Sequence, residues 1–207
     1  MESLPSGIQY RHWPVDDAKA CVLLAHGLAE HTGRYEHVAA RLNERGVAVV
    51  GPDHIGHGAS PGVRVYLKAF SEYLEPMQTL RAHIDDWYPG RPVFLMGHSM
   101  GGLISAHLLL ISQAAFQGAM LSGPAFHAVD PAPAPLMLIG RLLRYVLPKL
   151  GMVSLDANGV SRDPAVVADY IADPLVYNGK ITTGLGIEML DAMEVAIARA
   201  GEITLPI

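Results

Sequence analysis

Residues 92–102, PVFLMGHSMGG, decide the fold of this 207-residue chain. Residues 93–96 are a short apolar run, typical of a strand that is buried on both faces. The pentapeptide Gly97-His98-Ser99-Met100-Gly101 then matches the pattern G-x-S-x-G, and residues 103–111 continue as an apolar helix. A strand, a sharp turn and a helix in this order predict a nucleophile elbow, with the Ser99 hydroxyl exposed at its tip.

The glycines around Ser99 agree with this prediction, because a turn this sharp leaves room for small side chains only. The backbone N–H of Met100 begins the helix, where it would point toward a developing oxyanion. His26-Gly27 ends another predicted strand, over residues 19–25, and an α/β-hydrolase takes its second oxyanion donor from the loop after that strand. The N–H of Leu28 is the candidate. The alternative is a glycine-rich helix start with an ordinary serine.

Strand-like and helix-like segments alternate through the first half of the chain. Further strands are predicted over residues 8–13, 47–51 and 118–121, and helices over residues 35–44 and 70–87. Continuous apolar strands separated by helices indicate a mostly parallel sheet with helices on both faces.

The pattern changes after Pro124. Residues 130–135, DPAPAP, resist regular structure, and helices are predicted over residues 136–150, 165–170 and 186–200. No strand is expected before residues 203–207. The predicted organisation is a hydrolase core over 1–126, a helical cap or lid over 127–202, and the start of the next core strand over 203–207.

Composition excludes several other classes of protein. The net charge is −5, with 15 basic and 20 acidic residues, and no basic cluster could neutralise a nucleic acid. Residues 92–129 carry no Asp, Glu, Lys or Arg, but glycine, serine and histidine interrupt the run too often for a membrane span. The first residues lack a secretory signal, and the single cysteine, Cys21, allows no internal disulfide. We expect a cytoplasmic protein with no cofactor and no obligate protein partner.

Four segments resemble the monoacylglycerol lipases of the α/β-hydrolase superfamily, in the branch that includes bacterial lysophospholipase-like proteins. They are residues 26–42 (HGLAEHTGRYEHVAARL), 52–60 (PDHIGHGAS), 92–102 and 161–175 (SRDPAVVADYIADPL). The resemblance implies an α/β-hydrolase fold with a helical cap. It also implies that a monoacylglycerol or similar single-chain lipid ester is cleaved through a serine acyl-enzyme.

The resemblance further implies roles for six residues. Ser99 would be the nucleophile, and the N–H groups of Leu28 and Met100 would bind the oxyanion. Glu30, Arg34 and Tyr170 would lie at the polar end of the pocket, where the glycerol or leaving alcohol sits. Their alternative roles are a loop cap, a surface ion pair and a buried aromatic.

The other two members of a catalytic triad have no clear candidates in this sequence. In this superfamily the acid and the histidine follow the serine, but after Ser99 the only histidines are His107 and His127. His107 lies two turns along the elbow helix, and His127 matches no family motif. The acidic candidates fall in the predicted cap: Asp130, Asp156, Asp163, Asp169 and Asp173. We therefore expect a truncated hydrolase, without its final strands and helix, and with very weak or no turnover of its own.

Two other interpretations of the sequence stay open beside the lipase. One is a non-catalytic remnant of the same fold that binds a lipid or a partner; the other, within the enzymes, is a lysophospholipase or thioesterase. A metal site at His54 and His57 with Asp53 is set aside, because the resemblance assigns this segment to a glycine-rich structural loop.

The predicted cap helix over 136–150 raises the question of membrane contact. One apolar stripe would contain Leu136, Ile139, Leu143, Val146 and Leu147. Arg141, Arg144 and Lys149 would form a cationic flank that favours anionic headgroups. Peripheral membrane contact through this helix is one expectation, and packing of the stripe on its own domain is the other.

Overall fold

A six-stranded sheet lies at the centre of the structure. The computed structural model describes residues 1–128, 134–154 and 156–207, with the backbone alone for residues 134–136. The strands are β1 (Glu2–Ser3), β2 (Gln9–Trp13), β3 (Ala20–Ala25), β4 (Val47–Pro52), β5 (Val93–His98) and β6 (Gly118–Ser122). Their spatial order is β1-β2-β4-β3-β5-β6. The last four strands in that order pair in parallel, and β1 and β2 add an antiparallel edge.

Both faces of the sheet are buried. Successive side chains of its central strands point to opposite faces, and those on each face pack in a separate cluster. Leu23 and Ala25 belong to the main hydrophobic core, whereas Val22 and Leu24 pack in a second cluster. Helix α1 (Glu36–Asn43) covers the second cluster with Ala39. On the other face, helices α2 (Leu74–Trp87) and α3 (Met100–Ser112) contribute to the main core. The predicted mostly parallel sheet with helices on both faces is confirmed.

The helices begin and end close to their predicted bounds. Short 3₁₀ turns at Thr32–Tyr35 and Phe70–Tyr73 lead into α1 and α2. Helix α3 is apolar around its whole circumference and is buried along nearly its whole length, as expected for a helix in the middle of a core.

The described part of the chain after β6 contains three α-helices and two strands. They are α4 (Ala134–Val146), β7 (Gly151–Ser154), α5 (Pro164–Ala172), β8 (Lys180–Thr182) and α6 (Thr183–Ala198). The prediction of no strand before residue 203 is wrong, since β7 and β8 form an antiparallel pair. These strands are short and mostly exposed, so they contain no buried apolar run. Of the predicted irregular segment, residues 130–133 lie outside the described residues, and Ala134 and Pro135 begin α4.

Residues 203–207 do not form the predicted strand in this structure. They follow a 3₁₀ turn at Ala200–Glu202 as irregular backbone. One hydrogen bond, from the N–H of Ala119 to the carbonyl of Pro206 (2.9 Å), joins this segment to the edge strand β6.

Helix α6 connects the predicted cap to the main core. Its core residues are Leu185, Met189, Ala192, Met193 and Ala196. Its acidic residues bind α4, where Arg141 pairs with Asp191 (2.8 Å) and Arg144 with Glu188 (3.3 Å). The division at residues 126 and 202 remains a prediction. Among the described helices, none is both long and apolar enough to cross a membrane.

Candidate active site

Ser99 lies at the tip of the turn between β5 and α3, in a backbone conformation that non-glycine residues rarely adopt (φ 51°, ψ −117°). Hydrogen bonds hold this conformation from both sides. The Ser99 N–H donates to the carbonyl of Ser122 (3.0 Å), and the Ser99 carbonyl accepts from the N–H groups of Gly102 (2.9 Å) and Ala125 (3.0 Å). The strained tip is thus fixed by strand β6 and the segment after it, as a nucleophile elbow requires.

Close packing explains the glycines of this turn. A Cβ at Gly101 would lie within 3.0 Å of the carbonyl oxygens of Ala25 and His26, at the end of β3. A Cβ at Gly97 would come equally close to the Gly101 carbonyl, and one at Gly102 would meet Pro124. Because these neighbours are mostly backbone, they cannot move aside cheaply. Helix α3 therefore starts directly against the end of β3.

The two candidate oxyanion donors lie on adjacent segments at the carboxyl ends of β3 and β5. Met100 is the first residue of α3, and Leu28 lies in the loop of residues 26–31, called the oxyanion loop below. A Cβ on Gly27 would lie 3.3 Å from the ring of His98, so this loop is packed beside the elbow. Within the described structure, neither the Leu28 nor the Met100 N–H donates a hydrogen bond. The Ser99 N–H is not a further candidate donor, because it already donates to the carbonyl of Ser122.

The three residues expected at the polar end of the pocket lie together. The carboxylate of Glu30 accepts from the N–H of Gly27 (2.6 Å) and from the Tyr35 hydroxyl (2.6 Å), and it lies 3.4 Å from Arg34 Nε. The Arg34 guanidinium stacks 4.6 Å above the ring centre of Tyr170. Glu30 thus also caps the oxyanion loop. The substrate-binding role of these residues remains a prediction.

Tyr35 is a member of this cluster that the sequence reasoning missed. Burial and the neighbouring Glu30 carboxylate raise its pKa, so the hydroxyl keeps its proton and stays a donor. The only sequence signal is its position next to Arg34.

The buried histidines around the oxyanion loop are neutral, and the ring of His26 makes two hydrogen bonds. His26 Nε2 accepts from the N–H of His54 (2.9 Å), so its Nδ1 carries the proton and donates to the carbonyl of Gly27 (2.7 Å). Burial, with a smaller contribution from His57, lowers the pKa of His26 to about 3. Burial also lowers the pKa of His54 well below its ordinary value and that of His57 to about 4.

Asp53 fixes the other side of the oxyanion loop. Its carboxylate accepts from the N–H groups of Thr32 (2.9 Å) and Ala59 (2.9 Å). Burial acts to raise the pKa of Asp53, but these hydrogen bonds and His26 hold it below its ordinary value. In the part of the chain that the structure describes, no group of three or more His, Cys, Asp and Glu side chains could hold a metal ion.

The histidines from the end of β5 onward are His98, His107 and His127, and two of them bond to backbone carbonyls. His98 Nδ1 bonds to the carbonyl of Ser122 (2.9 Å), and this residue is half-buried. His107 bonds to the carbonyl of Ala192 (2.9 Å), and His127 is exposed. Neither His107 nor His127 hydrogen-bonds Ser99 in this structure.

The predicted acidic candidates also have structural contacts where they are described. Asp156 and Asp163 cap the turns that follow them, through the N–H groups of Asn158 and Ala165. Asp173 pairs with His31 of the oxyanion loop (2.8 Å). Asp169 lies in α5, and Asp130 lies outside the described residues.

A serine on a strained strand-to-helix turn of a mostly parallel sheet, beside a loop with a free backbone N–H, defines the α/β-hydrolase class of serine hydrolases. The family described as "Serine aminopeptidase, S33" matches residues 16–207. The chain belongs to this family, and within it to the group of the monoacylglycerol lipases. The fold and the resemblance predicted from sequence are both confirmed.

Individual relatives support this assignment. The chain is 39% identical to a monoacylglycerol lipase of Mycolicibacterium smegmatis over 97% of its own length and 72% of that protein. It is 33% identical to the monoglyceride lipase of Rattus norvegicus over 95% of its own length and 65% of that protein. A crystal structure of the monoacylglycerol lipase of Paleococcus ferrophilus superposes with a TM-score of 0.84 at 31% identity, covering 96% of this chain and 75% of that one. The chain thus spans about two thirds to three quarters of the length of these relatives.

The packing of the elbow predicts opposite effects for two Gly-to-Ala substitutions. Gly101→Ala should lower the free energy of unfolding by about 1–3 kcal/mol, because its Cβ would overlap the backbone of β3. Gly186→Ala in α6 is the control, since nothing lies within 4 Å of its Cβ position. It should raise the free energy of unfolding by about 0.5–1 kcal/mol. Urea unfolding measures both. Equal effects would contradict the close contact between α3 and β3.

Burial of neutral His57 predicts that the protein loses stability in mild acid. Unfolded His57 binds a proton near its ordinary pKa of 6.5, and folded His57 only near 4. This contribution to stability is therefore complete above pH 6.5 and declines as the pH falls toward 4. His57→Gln should make the slope of unfolding free energy against pH shallower by up to about 1.4 kcal/mol per pH unit in this range.

Urea unfolding at several pH values between 4 and 7.5 tests this prediction, whatever the substitution does to stability at pH 7.5. His37→Gln is the matched control, because it removes a histidine that is exposed on α1 rather than buried. An unchanged slope in His57→Gln would show that His57 does not titrate as its burial requires.

Proposed function

We propose that this protein hydrolyses the carboxylic ester of monoacylglycerols or similar single-chain lipids, with Ser99 as the nucleophile. The observation that carries the proposal is the strained Ser99 turn, beside two backbone N–H groups that have no partner within the described residues. The named activity of the relatives from Mycolicibacterium smegmatis and Rattus norvegicus supports the substrate class.

In the proposed reaction, the Ser99 hydroxyl oxygen attacks the ester carbonyl carbon. The N–H groups of Leu28 and Met100 stabilise the negative charge that develops on the carbonyl oxygen. Collapse of the tetrahedral intermediate releases the alcohol and leaves an acyl group on Ser99. Attack by water then releases the fatty acid and regenerates the hydroxyl.

The Ser99 proton must pass to a base, which in this class is a histidine oriented by a carboxylate. His107 and His127 have no hydrogen bond to Ser99 in the structure, and we assign the base to neither of them.

Glu30, Arg34 and Tyr170 suit the polar end of such a substrate. Together they offer a carboxylate, a guanidinium and a phenol within one connected cluster, which could bind the hydroxyl groups of glycerol. The cluster shares Glu30 with the oxyanion loop, so the alcohol and the developing oxyanion would be held by the same segment.

The surface of α4 supports peripheral contact with a lipid layer. Leu138 and Leu142 are 61% exposed, and Tyr145 and Val146 are 75% exposed. Apolar side chains this exposed on one helix are typical of a surface that meets lipid or a partner. We infer that α4 rests on the lipid that supplies the substrate.

We expect a smaller contribution to this contact from two residues of the predicted cationic flank. Arg141 and Arg144 bind the acidic side chains of α6, which compensate their charge. Their attraction for anionic headgroups is reduced accordingly, and the apolar face is the main source of affinity.

Hydrolysis should depend on Ser99. Ser99→Ala should lower kcat for a monoacylglycerol by at least about a thousandfold, because Ser99 is the group to which the acyl chain is transferred. Ser112→Ala is the control, since its hydroxyl only bonds to the carbonyl of Leu108 within α3. The assay compares a monoacylglycerol, a lysophospholipid and an acyl thioester. Hydrolysis that survives Ser99→Ala would contradict the mechanism, and binding without turnover would favour the non-catalytic alternative.

Contact of α4 with lipid should depend on its exposed apolar face. Leu142→Glu should weaken binding to phosphatidylcholine vesicles by about 10-fold, because one apolar side chain leaves the lipid and a charge replaces it. Ile111→Glu is the matched control, since Ile111 is 55% exposed on α3. Sedimentation with the vesicles gives the bound fraction. Equal losses in the two variants would contradict contact through α4.

A further inference from the structure

We propose that Asp173 and His31 are positioning residues, which hold the Leu28 N–H in place by fastening the oxyanion loop to the segment after α5. The inference rests on the proposed function, since it assigns an indirect role in the stabilisation of the same oxyanion. Neither residue is expected to touch the substrate.

The first attachment is a hydrogen bond with a defined direction. His31 Nδ1 accepts from the N–H of Gly33 (3.2 Å), so its Nε2 carries the proton and donates to Asp173 (2.8 Å). The second oxygen of Asp173 accepts from the N–H of Leu175 (2.9 Å). Burial acts to raise the pKa of Asp173, but the hydrogen bonds from His31 and Leu175 lower it below its ordinary value, so it remains an ionised acceptor.

The second attachment holds the middle of the oxyanion loop. The N–H of Tyr177 donates to the carbonyl of Ala29 (2.8 Å). Ala29 is buried and has a left-handed backbone (φ 65°), which a non-glycine residue keeps only where its surroundings fix it. Leu28 therefore lies between Gly27, whose N–H is held by Glu30, and Ala29, whose carbonyl is held by Tyr177.

The attachments from the core hold the two ends of this loop. His26 is bonded to the backbone of His54, and Thr32, just after the loop, is bonded to Asp53. The segment 173–177 supplies contacts near the middle and at His31, more than 140 residues away in sequence. The direction of the Leu28 N–H thus depends on how this segment is docked.

Loss of the His31–Asp173 bond should therefore affect the transition state more than substrate binding. An oxyanion exists only during reaction, and its stabilisation depends on the position of the donor. His31→Ala and Asp173→Ala should each lower kcat about 10-fold and leave KM within about twofold. The double variant should be no slower than either single variant, because both remove one interaction.

Two further variants separate positioning from general structural damage. His31→Gln should restore most of kcat, because a Gln amide can donate to Asp173 as Nε2 does. Asp163→Ala is the matched control, because Asp163 caps the other end of α5 through Ala165 and has no contact with the oxyanion loop in the described structure. It should leave kcat unchanged. A raised KM at constant kcat, or additive losses in the double variant, would overturn the proposal.

Hydrogen–deuterium exchange provides a readout that does not need turnover. Peptides covering residues 26–34 should exchange faster in Asp173→Ala than in Asp163→Ala or the parent protein, because the loop loses the hydrogen bond from His31 to Asp173. Hydrolysis in the parent that survives Ser99→Ala would refute the proposed function and leave this test intact. Exchange equal in all three proteins would refute the positioning role even if hydrolysis is observed.

Discussion

The contact between the start of α3 and the end of β3 is the constraint on which the site depends. Gly101 lies so close to the carbonyls of Ala25 and His26 that no side chain fits between them. Since Ala25 and Gly97 are paired neighbours in the sheet, the oxyanion loop and the elbow leave the sheet side by side. This places the backbone of Leu28 next to the turn that carries Ser99. The strained Ser99 conformation then persists because β6 and the segment after it hold both its N–H and its carbonyl.

The central architecture could be predicted from sequence because its strands and helices are apolar where they are buried. Strand β3 and helix α3 are mostly apolar, and both are buried along most of their length. The same reasoning failed for β7 and β8, because their residues are mostly exposed and form no apolar run. These two strands are identified by their backbone pairing with each other. The sequence analysis also predicted a strand over 203–207, but these mostly apolar residues are irregular backbone in the structure.

The candidate site was predicted in part, for a related reason. Ser99, Met100 and Leu28 follow from local motifs, because a sharp turn needs glycines near it and a helix begins with free N–H groups. The bond from Tyr177 to Ala29 and the pair of His31 with Asp173 join segments that are distant in sequence. Such contacts depend on which segments the fold brings together, so the local sequence around either partner does not predict them.

The orientation of α4 has a consequence for how this region could open. Two of its charged residues, Arg141 and Arg144, bind α6, whereas several of its apolar side chains, among them Leu138, Leu142 and Val146, are exposed to solvent. An ordinary surface helix exposes its charged face instead. Partly exposed ion pairs each contribute at most about 1 kcal/mol, whereas α6 buries five apolar side chains in the main core. Although Gly140 also approaches Ile187, we expect the interface between α4 and α6 to be weaker than the interface between α6 and the core helix α3. If a lipid layer binds the exposed face of α4, we expect α4 to separate from α6 while α6 stays packed in the main core.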